Sequence, residues 1–359
     1  MKHIYEAMLL LTPGIGRVKL KRLIEHFGDA QVVWNSKRQE LAESGILGIK
    51  EIDVVESLRD QMNAADVAKH WTQMGVQVCS LQDENYPALL RNIFDPPFLL
   101  FYRGCLHENS LCVAVVGSRR STPYGRNVAR SFSETMARTG VTIVSGAARG
   151  IDTEAHEGAL AAGAATVAVL GCGVDIAYPA ENSRLLEQIA VDGCVLSEYP
   201  PGTPPSSGHF PARNRIVAGM SVGVLVVEAR EKSGALITAD FALNENRDVY
   251  AIPGSVFSNA SRGTHRLIQQ GARLVSSAED LLGELGLHNA DSQNGTQAGL
   301  SVTEKRVLRE LSQSEETSVD TLVMRLNMEA SEIVVILLQL EMAGYVVKDS
   351  VGYIRAAKE

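Results

Sequence analysis

The chain has 359 residues, 45% of them hydrophobic and 21% charged, so it is globular and long enough for two or three domains. Its formal net charge of −8 excludes a protein that coats nucleic acid by bulk attraction, although a total hides local patches. Five scattered cysteines without a C-x-x-C pair exclude a disulfide framework and a zinc site, and fit a reducing cytoplasm.

The N-terminal apolar run before Pro13 is too short for a signal peptide. Residues 1–80 then show apolar positions at helical spacing in VKLKRLIEHF and ELAESGILGIKEIDVVESL, with no convincing strand, and predict a small helical domain. Within it, PGIG (Pro13 to Gly16) ahead of a basic helix admits two readings. One is a SAM/helix-hairpin-helix-like turn whose amides grip a DNA phosphate; the other is a tight turn between packed helices.

Residues 81–287 alternate short β-branched runs with helical stretches: CVAVVG, VTIVSG, TVAVLG, VGVLVVEA, DVYAIPG and ARLV. This predicts an α/β fold, a doubly wound parallel sheet buried on both faces. The uncharged run 158–174 is short for a membrane span and reads as helix end, turn and strand, so no membrane contact is expected. Residues 288–299, HNADSQNGTQAG, read as a flexible linker. Residues 300–359 predict three helices and a hairpin turning near Asp349 and Ser350, a winged helix.

Ligands bind beyond the carboxyl ends of parallel strands, so the residues following each strand are the candidates. They are Gly117-Ser118-Arg119-Arg120, then Ser145-Gly146 with Arg149, then Gly171 to Gly173, then Glu228 and Lys232-Ser233-Gly234 opening a helix. Free N–H groups at that helix start suit an anion. Neither G-x-G-x-x-G nor a P-loop is present, so no nucleotide cofactor is expected. Of the 17 basic residues in 81–287, 16 are Arg, the side chain that forks onto phosphate and stacks on bases.

A further cluster, SSGHFPARNRIVAG (206–219), holds Phe210, Arg213, Asn214 and Arg215. An aromatic beside arginines suits single-stranded nucleic acid; a core phenylalanine with helix-capping arginines is the alternative. In the first reading Gly117 allows close backbone approach, Arg119 forks onto phosphate opposite Arg213 and Arg215, and Arg120 points elsewhere.

The motifs GSRRSTPYG, SGAARGIDTEAHEGAL, GCGVDIAYPAEN, SEYPPGTPPSSGHFPARNRIVAGMS, VVEAREKSGALITADFAL and VYAIPGSVFSNASRGTHRLIQQGA, in this order, resemble the DprA (Smf) family of bacterial DNA-processing proteins. The resemblance covers most of residues 112–276 and implies an extended Rossmann-like domain between a helical N-terminal module and a C-terminal winged helix. It further implies single-stranded DNA as ligand, a homodimer, and loading of RecA recombinase during natural transformation. By resemblance, Arg119 and Phe210, Arg213, Asn214 and Arg215 belong to the DNA pocket. The loop Ala180-Glu181-Asn182-Ser183-Arg184 departs from the family, where a Lys can follow Tyr-Pro, so a DNA contact from this loop is expected only if Arg184 substitutes.

Catalysis has little support in the residues. Asp152 and His156 share a helix face but read as a helix cap and a buried hydrogen-bonding residue, and HEGAL is not H-E-x-x-H. Glu228 is the other acid at a strand end. The best enzyme alternative, a nucleotide or phosphoribosyl hydrolase of related Rossmann type, lacks its P-G-G-x-G-T-x-x-E motif. A binding protein with no catalytic residue and no metal is expected.

Overall fold

The computed structural model describes residues 1–106, 110–287, 302–311, 317–326, 328–342, 345–348 and 352–355. The chain divides into two compact units, Met1–Leu287 and His288–Glu359. The expected linker 288–299 and the hairpin turn at Asp349 and Ser350 lie outside the described residues.

The first unit opens with α1 (Ile4–Leu10), α2 (Arg17–Phe27), α3 (Ala30–Asn35), α4 (Arg38–Glu43), α5 (Ile49–Gln61) and α6 (Ala64–Gln73). The caps are local chemistry: Asp29 accepts the Gln31 N–H before α3, and Asn63 accepts the Ala65 N–H before α6. PGIG is the turn between α1 and α2, with Ile15 buried. This helical segment shares one core with the sheet that follows, and Trp71 meets Phe101 edge-on at 5.8 Å. Contrary to the sequence reading, the first 80 residues include a strand, β1 (Gln77–Ser80). It is four residues long, too short to declare a period of two.

The sheet and its helices continue as α7 (Ala88–Arg91), β2 (Leu99–Gly104), β3 (Cys112–Val116), α8 (Pro123–Arg138), β4 (Thr142–Ser145), α9 (Ile151–Ala161) and β5 (Thr166–Val169). Then come α10 (Ser183–Asp192), β6 (Cys194–Ser197), α11 (His209–Gly219), β7 (Gly223–Val226), α12 (Gly234–Asn244), β8 (Asp248–Ala251), α13 (Arg262–Gln269), β9 (Arg273–Leu274) and α14 (Ala278–Glu284). The nine strands run in the order β1-β2-β6-β5-β4-β3-β7-β8-β9. From β6 to β9 every pairing is parallel, while β1 and β2 add antiparallel strands at one edge. Every residue of β3, β5, β6 and β7 is buried, as a strand covered on both faces requires.

One feature of this order positions the site. β3 lies between β4 and β7, so the chain winds outward from β3 first one way and then the other. The crevice beyond the carboxyl ends of β3 and β7 is the topological switch point, where the loops diverge and leave a cleft.

The second unit comprises α15 (Val302–Glu310), α16 (Val319–Leu326), α17 (Ala330–Met342) and the antiparallel pair β10 (Val346–Lys348) and β11 (Tyr353–Arg355). Its core is Val307, Leu308, Leu322, Ile333, Leu337 and Leu340 among others, the inward faces of all three helices. Three helices and a hairpin match the winged helix expected from the sequence.

Candidate nucleic-acid interface

A cleft of about 710 Å³ opens at the switch point. One wall is the loop after β3. Thr122 caps α8 by accepting the Gly125 N–H, and Pro123 stands at the first helical position. The buried Glu228 carboxylate at the end of β7 accepts both the backbone N–H and the hydroxyl of Thr122. That clamp ties the two walls of the cleft together. Ser118 is buried, and its Oγ accepts the Arg120 N–H at 3.1 Å. A Cβ on Gly117 would meet Ile151 Cγ1 at 2.6 Å and the Glu228 carbonyl at 3.0 Å. The glycine is there for the packing of α9 on the strand end, a different reason from the close ligand approach read from the sequence.

The facing wall is the start of α12. Ser233 accepts the Ala235 N–H, and Arg230, Lys232 and Gly234 lie beside it at the rim. Arg119, Arg120, Arg230 and Lys232 all line the cleft, and none makes an ion pair among the described residues. Nearby Arg149, Arg215 and Arg262 each do. Asp152 is the one carboxylate among the described lining residues. Arg120, expected to point elsewhere, is among the residues that line the cleft, and its backbone N–H is held by Ser118.

On the third side an aromatic column stands. The Arg119 guanidinium lies 5.3 Å from the Phe210 ring centroid, and Phe210 stacks on Tyr178 at 5.2 Å and 27°. Tyr178 was not singled out from the sequence, because it lies five residues beyond the Gly173 at which the list of strand-end residues stopped.

The segment FPARNR lies in the first part of α11, and both of its arginines are buried. Arg213 forms the cleft floor, donating to the Gly146 carbonyl at 2.7 Å and to the Val169 carbonyl. Burial pulls its guanidinium down to about 10, against the opposing pull of Asp152. Asp152 does not cap α9, which begins after Gly150; it sits in the first turn and accepts the Ala148 N–H at 3.3 Å. Burial pushes its carboxyl up, and Arg213 draws it back. Arg215 leaves the cleft altogether and pairs with Glu198 and with Asp95 at 3.4 Å, so it does not face Arg119 as the sequence suggested. Asn214 lines the cleft and donates to the Gly234 carbonyl at 3.3 Å.

Two other expected residues stand apart. Ser145 is buried and donates to the Val115 carbonyl at 2.6 Å, binding β4 to β3. Arg149 lines a small adjoining recess with Tyr178 and Phe210, and Glu181 holds it through Nε at 2.6 Å and Nη2 at 2.7 Å. His156 is buried away from the cleft. Thr166 Oγ1 donates to the Ile143 carbonyl, so His156 Nδ1 is the donor to that hydroxyl at 2.8 Å, and burial pushes the imidazole down to about 3. Asp152 and His156 are thus separately engaged and form no acid–base pair.

Residues 77–286 match the family model of DNA recombination-mediator protein A, and residues 292–350 match the DprA winged helix domain. Protein Smf of Synechocystis sp. is 42% identical over 278 residues, 76% of this chain and 70% of that protein. DNA processing protein DprA of Streptococcus pneumoniae is 49% identical over 206 residues, 57% of this chain and 73% of that one. The X-ray structure of the pneumococcal protein superposes with a TM-score of 0.66 at 39% identity, covering 78% of this chain and 97% of that one. DNA processing protein A of Helicobacter pylori, whose structure concerns its single-stranded DNA binding mode, superposes at 0.54 with 32% identity, covering 59% of this chain and 98% of that one. With its α/β sheet, its winged helix and these matches in register, the chain belongs to the DNA recombination-mediator protein A (DprA, Smf) family.

Proposed function

We propose that the cleft binds single-stranded DNA, and that the protein acts on transforming DNA as a carrier without chemistry of its own. The observation that carries this is the set Arg119, Arg120, Arg230 and Lys232, four cations that line one cleft and make no ion pair among the described residues, beside the Phe210–Tyr178 stack. Phosphates meet the cations and a base meets the aromatics, which is how single strands are held without sequence readout. Gly117, Ser118, Gly146, Asn214, Ser233 and Gly234 shape the cleft, and Arg213 supports it from below. Ser145, Arg149 and Arg215 support the site as structural residues.

The bound strand is then handed to RecA recombinase; the family's description as a recombination mediator supports this step. Self-association as a homodimer is supported by the α12 and β9 side of the sheet. There Ile237, Leu243 and Leu274 are exposed, and β9 is an outer strand. A cytoplasmic setting is supported by five free cysteines, four of them buried. Among the described residues no helix is long and apolar enough to cross a membrane.

Filter binding of single- and double-stranded DNA across several salt concentrations, with mononucleotide hydrolysis followed in parallel, tests the reading. Tight binding of the single strand without turnover is expected. Nucleotide turnover with weak strand binding would instead favour the hydrolase alternative.

A further inference from the structure

We infer that the β-turn Ser255–Ser258 carries Phe257 as a second stacking platform, outside the cleft, for a base of the same DNA strand. The inference rests on the reading of the cleft as a single-stranded DNA site. Phe257 is 95% exposed and Val256 75%. They occupy the two central positions of a turn closed by the Ser258 N–H donating to the Ser255 carbonyl at 2.9 Å. Such positions are ordinarily filled by Gly, Pro, Asn, Asp or Ser, whose backbone preferences and local hydrogen bonds make the turn, and neither Val nor Phe offers these. The turn is also fixed: Ser255 Oγ accepts the Phe257 N–H at 3.3 Å. An aromatic ring and a valine side by side are thus held in solvent on a fixed turn.

Its place in the fold says what it meets. The turn follows β8, the parallel neighbour of β7, and so emerges at the same sheet edge as the cleft. The loop that carries it is joined to the cleft wall through Ala229, whose N–H donates to the Ala260 carbonyl and whose carbonyl accepts the Gly263 N–H, both at 2.8 Å, and through the Arg262–Glu231 pair at 3.5 Å. The next residue is Arg230, and Lys232 follows. Tyr124 OH donates to the Pro253 carbonyl at 3.0 Å and ties the same loop to α8. A strand leaving the cleft over Arg230 and Lys232 along this sheet edge runs toward the turn that carries the ring, and an exposed ring suits an unpaired base. Phe94 is as exposed, at 96%, but its N–H donates to the Glu245 carboxylate, an acid that repels phosphate.

The test is fluorescence anisotropy of the full chain with oligothymidylates of about five and about fifteen nucleotides, the shorter filling the cleft alone. Phe257→Ala should weaken the longer oligonucleotide about tenfold or more and leave the shorter within about twofold. Phe257→Trp should restore the difference, Phe94→Ala should change neither, and the salt slope should stay as it was. Equal loss for both lengths, or no loss for either, overturns the platform while the cleft stands. Failure of the unsubstituted chain to bind either oligonucleotide overturns both. A fall in mass by light scattering on Phe257→Ala would assign the turn to self-association and overturn the platform as well.

Discussion

Arg213 donates to the Gly146 carbonyl at 2.7 Å, and a Cβ on Gly146 would lie 2.4 Å from Arg213 Nη2. The guanidinium and the glycine are one joint, in which a buried cation closes the end of β4 against α11. Replacing Arg213 by Met leaves Asp152 buried without its nearest compensating charge and should cost about 3–5 kcal/mol of stability at neutral pH, measured by denaturant unfolding. Losing the guanidinium raises the Asp152 carboxyl further above its unfolded value. A folded state with the higher carboxyl pKa loses stability as pH rises from the unfolded value to the folded one. The deficit of the variant should therefore shrink on acidification toward the ordinary carboxylate range, and a deficit constant with pH would contradict this account.

Arg119 and Phe210 share one column but should separate in their effects on DNA binding. Arg119→Ala removes a phosphate partner and should make the plot of log affinity against log salt shallower by about 0.7 for a single strand. Phe210→Ala should cost about 1–3 kcal/mol with the slope nearly unchanged. If Arg119→Ala leaves affinity and slope as they were in a folded protein, the phosphate site lies elsewhere.

Glu181 holds Arg149 through both carboxylate oxygens at the edge of the aromatic recess. Glu181→Gln should release that arginine, strengthen single-strand binding and steepen the salt slope by about 0.7, whereas Arg149→Ala should change little. The opposite order would mean that Arg149 already binds phosphate.

The exposed face of α17 carries Val334, Val335 and Leu338, with Glu329 and Glu332 near its start, and no basic residue. A helix that enters the major groove presents Arg, Lys, Asn or Gln to bases and phosphates, and of these the described exposed face offers Gln339 among apolar and acidic side chains. Deleting residues 290–359 should leave single-strand affinity within about threefold. A tenfold loss would place the winged helix on the DNA.

Light scattering at micromolar concentration should report a dimer, and Leu274→Asp on the outer strand β9 should reduce the mass to that of the monomer. A monomeric mass for the unsubstituted chain would remove the dimer from the proposal.

The sheet was legible wherever a strand is long and β-branched, as in CVAVV and GVLV, because burial on both faces leaves no polar interruption. β1, β2 and β6 were not read: β1 follows a long helical stretch, and β2 and β6 lack the glycine that ends CVAVVG, VTIVSG and TVAVLG directly after the apolar run. At the site, Gly117 to Arg119 and Lys232 to Gly234 were readable from their place after strands. What the sequence does not encode locally is which arginine meets a carboxylate. Arg215 finds Glu198, Arg149 finds Glu181, and Arg120 finds neither. Those pairings are made by chain segments distant in sequence, so only the fold sorts the free cations from the committed ones.

The four cations that make no ion pair among the described residues also act on the protein when no DNA is bound. Held on fixed walls by the Glu228 clamp, they repel one another, and that repulsion opposes the folded state. Simple electrolyte should then raise the melting temperature of the free chain, the reverse of what salt does to a fold resting on surface ion pairs. An oligonucleotide should raise it further in proportion to its occupancy, so the ligand completes the fold as well as filling it.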